Sequence, residues 1–265
     1  MSDTGATPRA TTRVDGTRFG DIRWFDGIDS TNTYLAAQAR AGAPEGLVAV
    51  ADHQSAGRGR LGRSWVAPPG ASLLMSVLLR PALPAELLAL AGTAVALAAA
   101  EAAAGLAGVK ADLKWPNDLL VDGRKLAGIL SEAEFSGGRP AVVVGLGMNV
   151  NWPEPLPDEV AATATSLDRL CGHRVPVADL AVAVLEALEG RRRQLDDPEG
   201  RAALAVDYRR SCCTVGQRVR VELPNRAVTG TAVDVTAEGR LVLDADGTRM
   251  EVSVGDVVHL RPVSA

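Results

Sequence analysis

Cysteine is scarce: the 265-residue chain has three, and two of them, Cys212 and Cys213, are adjacent. Neighbouring cysteines bridge each other only under strain, so a disulfide framework is excluded and a reducing, cytoplasmic setting is expected. Histidine also occurs only three times, and His53 has no partner at ligand spacing, so it reads as structural and no direct protein ligand cluster for a metal is expected. Basic residues are not in excess. With 28 Lys and Arg against 32 Asp and Glu the net charge is -4, which argues against a surface built to neutralise phosphates, and no nucleic-acid partner is expected. No run reaches the roughly 20 strongly apolar residues of a membrane span. The longest, residues 87–100, is mostly alanine, is interrupted by Gly92 and Thr93, and reads as a buried helix. Residues 1–20 are polar, lack the apolar core of a secretory signal, and read as a disordered lead.

What is present is ordinary globular composition, 47% hydrophobic and 23% charged, at a length that suits one large domain and a small satellite. Ser30 suits a helix N-cap and Gly42 a C-terminal stop. Strands are expected at 47–51 and 72–79, a long helix at 86–106, and strands at 112–115, 119–121, 125–131 and 141–150. Between the third and second last of these, Asp122-Gly123 is a two-residue hairpin signal. Val177, Leu180, Val184 and Leu188 recur at helical spacing, with Arg191, Arg192 and Arg193 as a solvated helix end; Asp197 and Pro198 start another helix. From Val219 the period changes to strand alternation, and about fifty residues of short strands suggest a small closed barrel. A catalytic-sized domain at 21–213 and a barrel at 214–265 follow.

Two constellations carry chemistry. Gly57-Arg58-Gly59-Arg60-Leu61-Gly62 formally matches the dinucleotide-binding glycine pattern, but Pro68-Pro69-Gly70 stands where the helix should open and no acidic residue follows at the right distance. Three arginines and three glycines within residues 57–63 make instead a loop able to close around phosphate or carboxylate, or else a plain solvated turn. The second constellation is Lys114-Trp115-Pro116-Asn117-Asp118 with Lys125-Leu126-Ala127-Gly128-Ile129-Leu130. If Asp122-Gly123 is the turn, Val121 pairs with Arg124 and Leu120 with Lys125, so Lys125 shares a face with Asp118. That proximity serves either chemistry or an ordinary cross-strand ion pair.

These motifs, together with Ser30-Thr31-Asn32, the block from Gln54 to Trp65 and Gly145-Leu146-Gly147-Met148-Asn149, occur in an order that resembles the biotin protein ligases over residues 25–260. The resemblance implies an α/β (α+β) catalytic domain with a mixed sheet, shared with lipoate ligases, and a C-terminal Src-homology-3-like small β-barrel. It implies an ATP-dependent ligase, using magnesium, that activates biotin as biotinyl-5′-AMP and transfers it to a lysine of a biotin carboxyl carrier protein of acetyl-CoA or related carboxylases. Such activation is needed because a carboxylate is a poor electrophile and a lysine amine with a pKa of about 10.4 is mostly protonated.

By the family pattern Arg58 and Arg60 order over biotin and the adenylate, with Arg58 nearest the charged end. Lys125 holds the biotin carboxylate and α-phosphate, and Lys114 is a second phosphate contact. Asp118 orients Lys125, meets magnesium or accepts a proton; the sequence leaves these open. Ser30, Thr31, Asn32 and Gln54 match the ureido contacts, Gly57 and Gly59 belong to the biotin loop, and Gly128 and Leu130 line the apolar side. Arg60, Arg63, Trp65, Lys114, Asn117 and Asn149 fall to the nucleotide; Trp65 either stacks on adenine or packs the closed loop. Many relatives are also biotin-responsive repressors with an N-terminal DNA-binding domain. Only 29 residues precede Ser30, so the monofunctional type is expected. The rivals are a lipoate or octanoate enzyme, which needs no ureido contacts, and a non-enzymatic binder, which can dispense with Lys125.

Overall fold

The computed structural model describes residues 8, 10–135, 140–154, 160, 162–223, 226–253 and 255–259. Its larger sheet has eight strands: β1 (Ala10–Thr12), β2 (Asp21–Phe25), β3 (Leu47–Ala51), β4 (Ser72–Leu79), β5 (Asp112–Lys114), β6 (Asp118–Val121), β7 (Arg124–Glu134) and β8 (Ala141–Asn149). They lie in the order β1-β2-β3-β4-β8-β7-β6-β5. Among the described strands only β2 and β3 pair in parallel, so the sheet is mixed. The smaller sheet is antiparallel, in the order β12-β11-β10-β9-β13, from β9 (Arg218–Glu222), β10 (Ala227–Val235), β11 (Leu241–Ala245), β12 (Thr248–Val252) and β13 (Asp256–His259). It is the small Src-homology-3-like domain, although among the described residues no ladder joins β12 to β13, so the ring expected from the sequence stays open there.

Strand parity sorts the core into two layers, because successive side chains point to opposite faces. Val48, Val50, Leu73, Met75, Val77, Val144, Leu146 and Met148 face one layer, covered by α2 (Leu90–Ala107) and α4 (Val177–Gln194); a short α3 (Leu167–Cys171) lies between them in the chain. Ala49, Ala51, Leu78 and Val143 face the other layer, covered by α1 (Thr31–Arg40) through Tyr34 and Leu35. α1 starts where Ser30 accepts a hydrogen bond from the Thr33 amide, and it stops at Ala41, before left-handed Gly42. α5 (Pro198–Ser211) begins under the Asp197 cap, which accepts from Gly200 N at 2.8 Å. The long apolar helix expected from residue 86 is broken at its start: a single turn at Ala85–Leu87 precedes α2.

Two expectations fail. Residues 10–20 are not a disordered lead: β1 pairs with β2, and Phe19 and Val14 are buried. The remaining residues of that lead, 1–7 and 9, lie outside the described residues. The arginine run is only partly a solvated helix end, since the Arg193 side chain is 67% exposed while Arg192 is 3% exposed. A cluster of charges joins Arg18 of the lead to the helix end. Arg18 gives Glu189 its backbone N–H at 2.9 Å and its Nε at 3.0 Å, while Arg192 Nε reaches Glu45 at 2.5 Å. Burial raises the Glu189 carboxyl, but the hydrogen bonds from Arg18 outweigh it and hold the group at about 2.

The small domain packs on the β5 edge. Trp115 is the clamp: its N–H donates to Thr214 Oγ1 at 3.0 Å and its indole N–H to the Gly239 carbonyl at 2.9 Å. Cys171, Cys212 and Cys213 are free thiols.

Candidate functional site

α1 covers only part of its sheet face, and the uncovered part is the floor of a cleft of about 130 Å³. The register supplies that floor: Gly128 pairs with Gly147 and Leu130 with Gly145, all on the α1 side. A bulge in β7 makes this possible. Leu120 pairs with Lys125 and Leu119 with Ala127, so Leu126 is the extra residue, and Gly128 rather than Ala127 stands opposite Asp118. The hairpin turn at Asp122-Gly123 is as expected, with φ of 51° and 75°.

Each glycine makes room for a named neighbour. A Cβ on Gly145 would lie 2.2 Å from Asn32 Oδ1, and one on Gly147 would lie 2.5 Å from the Trp65 ring. The alternation of glycine within Gly145-Leu146-Gly147 was the visible signal of a close approach, although the sequence did not say of what.

The roof is the loop from Gly57 to Trp65, a narrow hairpin fastened by Trp65 N to Gly57 O at 2.9 Å and Gly59 N to Arg63 O at 2.7 Å. Leu61 at its tip has φ 56°, a left-handed conformation unusual for leucine, and its side chain is 65% exposed. Trp65 folds under the loop onto Gly147 and Gly128, covering the part of the face that α1 leaves open.

One end of the cleft is polar and uncharged. Ser30, Thr31, Asn32 and Gln54 line it, as the sequence led one to expect. Gln54 Oε1 accepts from Thr31 N at 2.8 Å, so the group Gln54 offers the cleft is its Nε2 donor. Ser30 Oγ accepts from an amide as a cap, which leaves its proton to give. Two donors converge there, suited to a carbonyl oxygen.

The other end is cationic. Lys125 Nζ lies 2.7 Å from Asp118 Oδ1 and 5.4 Å from the centre of the Trp65 ring. Asp118 Oδ1 is buried and its contact is the Lys125 ion pair, while the buried Trp65 Nε1 has no hydrogen-bond partner. The backbone around Lys125 is clamped: its N–H donates to Thr163 O at 2.8 Å, and its carbonyl accepts from Thr165 N at 2.9 Å. Arg60 enters from the roof, giving Nη1 to Asn117 Oδ1 at 3.2 Å and Nη2 to Gly255 O at 3.1 Å. Burial pulls the Arg60 guanidinium below its ordinary value, against the opposing charges of Asp256 and Asp118. Arg63 pairs with Asp256, so the small domain holds the roof at two points.

The structure places one arginine elsewhere than expected. Arg58, expected nearest the charged end, pairs instead with Glu132 beside Asn32, at the uncharged end. Arg60 is the arginine that feels Asp118. Three further expected residues do not line the cleft. Gly57 sits at the root of the roof, where a Cβ would meet the Trp65 carbonyl at 2.3 Å. Lys114 is drawn to the domain boundary, where its charge, after burial, helps to lower the His259 pKa. Asn149 pins backbone, donating to Thr165 O at 2.9 Å and Lys125 O at 3.3 Å, with its Oδ1 left unpartnered. Glu132 and Asp256, which do touch the roof, were missed because each meets its partner far along the chain and belongs to no motif. Gly59, Arg63, Asn117, Gly128 and Leu130 line the cleft as expected.

Comparison with known proteins agrees with this geometry. Residues 24–149 match the biotin/lipoate A/B protein ligase family, and residues 214–260 match the biotin protein ligase C terminal domain. The chain is 44% identical to the biotin--[acetyl-CoA-carboxylase] ligase of Mycobacterium tuberculosis, over 88% of this chain and 86% of that protein. It is 33% identical to the bifunctional ligase/repressor BirA of Bacillus subtilis, over 88% of this chain and 72% of that protein. The fold is similar to the biotin protein ligase from Aquifex aeolicus in complex with biotin and ATP, with a TM-score of 0.77 and 26% identity, covering 91% of this chain and 98% of that one.

Proposed function

The chain belongs to the biotin protein ligase family, and from that premise we propose how its cleft activates biotin with ATP and passes the biotinyl group to a carrier lysine. It is a ligase that forms biotinyl-5′-AMP and then an amide. The observation that carries the division of labour is a single cleft with carbonyl-seeking donors at one end and Lys125 with Arg60 at the other.

The ureido ring sits at the Ser30, Thr31 and Gln54 end, where Gln54 Nε2 and Ser30 Oγ donate to its carbonyl oxygen. The valeryl chain runs over Gly128 and Leu130 beneath Trp65 and delivers its carboxylate to Lys125. A carboxylate oxygen attacks the α-phosphorus of ATP, the bond to the bridging oxygen breaks, and pyrophosphate leaves. Negative charge grows on the phosphate oxygens in that step, and Lys125 and Arg60 are cations already in place to offset it. Asp118 orients Lys125, since its carboxylate touches Nζ and the clamped backbone fixes both. Asp118, whose carboxylate borders the cationic end, would be the protein group nearest a nucleotide-bound magnesium ion, which would offset charge on the phosphate oxygens. Asn117 and Trp65 face the nucleotide.

In the second step the carrier lysine, as the neutral amine, attacks the carbonyl carbon of the mixed anhydride, AMP leaves, and the amine proton is lost. The closed roof keeps water from that anhydride until the lysine enters. The carrier is the biotin carboxyl carrier domain of acetyl-CoA or related carboxylases. A net charge of -4 supports a protein rather than a nucleic acid as the macromolecular partner, and three free thiols support a cytoplasmic setting. Incubating the chain with ATP, magnesium, a purified carrier domain and either biotin or lipoate tests this. Biotin should be joined to one lysine with release of AMP. Transfer of lipoate in place of biotin would overturn the assignment.

A further inference from the structure

Glu132 has no part in the chemistry above, yet it touches both the floor and the roof. Its Oε2 accepts from Asn32 Nδ2 at 2.9 Å, and its Oε1 pairs with the Arg58 guanidinium. Asn32 is buried, and its amide can face only one way. The Leu130 carbonyl and the Glu132 carboxylate accept and cannot donate, so both take Nδ2 and leave Oδ1 toward Ser76.

Ser76 Oγ lies 2.6 Å from Asn32 Oδ1 and 2.7 Å from Thr31 Oγ1. Its one proton must go to Asn32, which has none to give there, so the single proton of the Thr31 hydroxyl is shared between Ser76 and Gln54 Oε1, which lies 3.1 Å away. Thr31 in turn holds Gln54 Oε1 through its backbone N–H. A contiguous chain of polar contacts therefore runs from Gln54 at the ring end through Thr31, Ser76, Asn32 and Glu132 to Arg58 in the roof. The inner members are fixed in the core, whereas the Arg58 side chain is 46% exposed. Glu132 is thus a preformed anion waiting for the movable cation.

We propose that Glu132 is the positioning residue that couples occupancy of the ring end to closure of the arginine roof. The proposal rests on the biotin-adenylating reading above. A ring that engages Gln54 and Thr31 stiffens the chain, holds the Glu132 carboxylate in the place Arg58 needs, and so favours the closed loop. An exposed ion pair alone contributes little. This one gains because one partner is immobilised by a buried amide before the pair forms.

The test is a double-mutant cycle on the full chain with Glu132→Gln, Arg58→Ala and both together. The readouts are the biotin dependence of pyrophosphate exchange and the release rate of preformed biotinyl-5′-AMP. Glutamine keeps an acceptor for Asn32 but loses the charge. The biotin KM and the release rate should both rise about tenfold, the value of one charge-assisted hydrogen bond. The maximal exchange rate should change by less than about threefold. In the Arg58→Ala background Glu132→Gln should add almost nothing, because its partner is gone; equal effects in both backgrounds would mean a merely structural role and would overturn the proposal. Arg58→Ala alone also decides: an unchanged biotin KM and release rate would overturn it even if Glu132→Gln failed to fold. Absence of biotin-dependent exchange in the parent would instead bring down the functional reading beneath it.

Discussion

Gly147→Ala introduces one methyl group at the place where roof meets floor. The added Cβ would lie 2.5, 2.8 and 2.9 Å from the Cε2, Cζ2 and Cδ2 atoms of Trp65. Carbon atoms attract at about 3.5–4.0 Å, so the indole must move by roughly an ångström. Overpacking of this kind costs about 1–3 kcal/mol, but Trp65 belongs to a loop and the chain can relieve the clash by lifting it. The cost then falls on closure rather than on folding. The ratio of closed to open roof should drop about 5- to 150-fold, and biotinyl-5′-AMP should escape about tenfold faster or more. The midpoint of thermal unfolding should move by no more than about 4 °C, the equivalent of ~1 kcal/mol in a chain of this size. Gly128→Ala is the internal control. Its Cβ meets Trp65 at 3.1 Å and the flexible end of Lys125 at 3.2 Å, so release should rise less than about threefold. Release is measured by trapping labelled adenylate in single turnover. A Gly147→Ala chain that retains the adenylate as well as the parent would refute the idea that Trp65 seals the floor.

Lys125→Ala removes the cation beside the reacting carboxylate and should lower single-turnover adenylation by about 10²–10³, the usual cost of one such electrostatic group; near-normal rates would show that another residue does this work. Arg60→Gly should release more adenylate than Arg58→Gly, because Arg60 is the arginine near Asp118 and also ties the roof to Gly255. Biotin labelling of bystander lysines compares the two, and the reverse order would contradict the placement. Acid should loosen the Glu189 cluster. The folded carboxyl sits at about 2 against an ordinary 4.5, so its stabilisation is present above about pH 5 and is lost as the pH falls toward 2. Glu189→Gln should therefore flatten the decline of the thermal midpoint between pH 5 and 3, by on the order of 2 kcal/mol, and an unchanged slope would count against the cluster.

Much of the site was legible because it is local. The Asp122-Gly123 turn sets the face shared by Lys125 and Asp118, and the hairpin delivers their ion pair at 2.7 Å. Ser30 reads as a cap and is one, while also lining the cleft. What escaped was long-range. Arg60 meets Gly255, Arg63 meets Asp256 and Arg58 meets Glu132, contacts set by how the roof and the small domain fall against the sheet. No periodicity encodes them, and so the pairing of Arg58 with Glu132 was not foreseen. The same blindness made residues 10–20 and Arg192 look solvated: Val14 and Phe19 join a core built from distant elements, and Arg18 and Arg192 meet opposite charges there. The bulge at Leu126, which brings Gly128 rather than Ala127 onto the cleft face, leaves the hydrophobic alternation nearly intact and so gave no sign of itself.

That one cleft activates biotin as an adenylate is tested most directly by exchange of labelled pyrophosphate into ATP, without any carrier protein. Exchange should appear with biotin and magnesium, be absent without biotin, and be absent with lipoate in its place. No exchange with biotin, or exchange with lipoate instead, would contradict it.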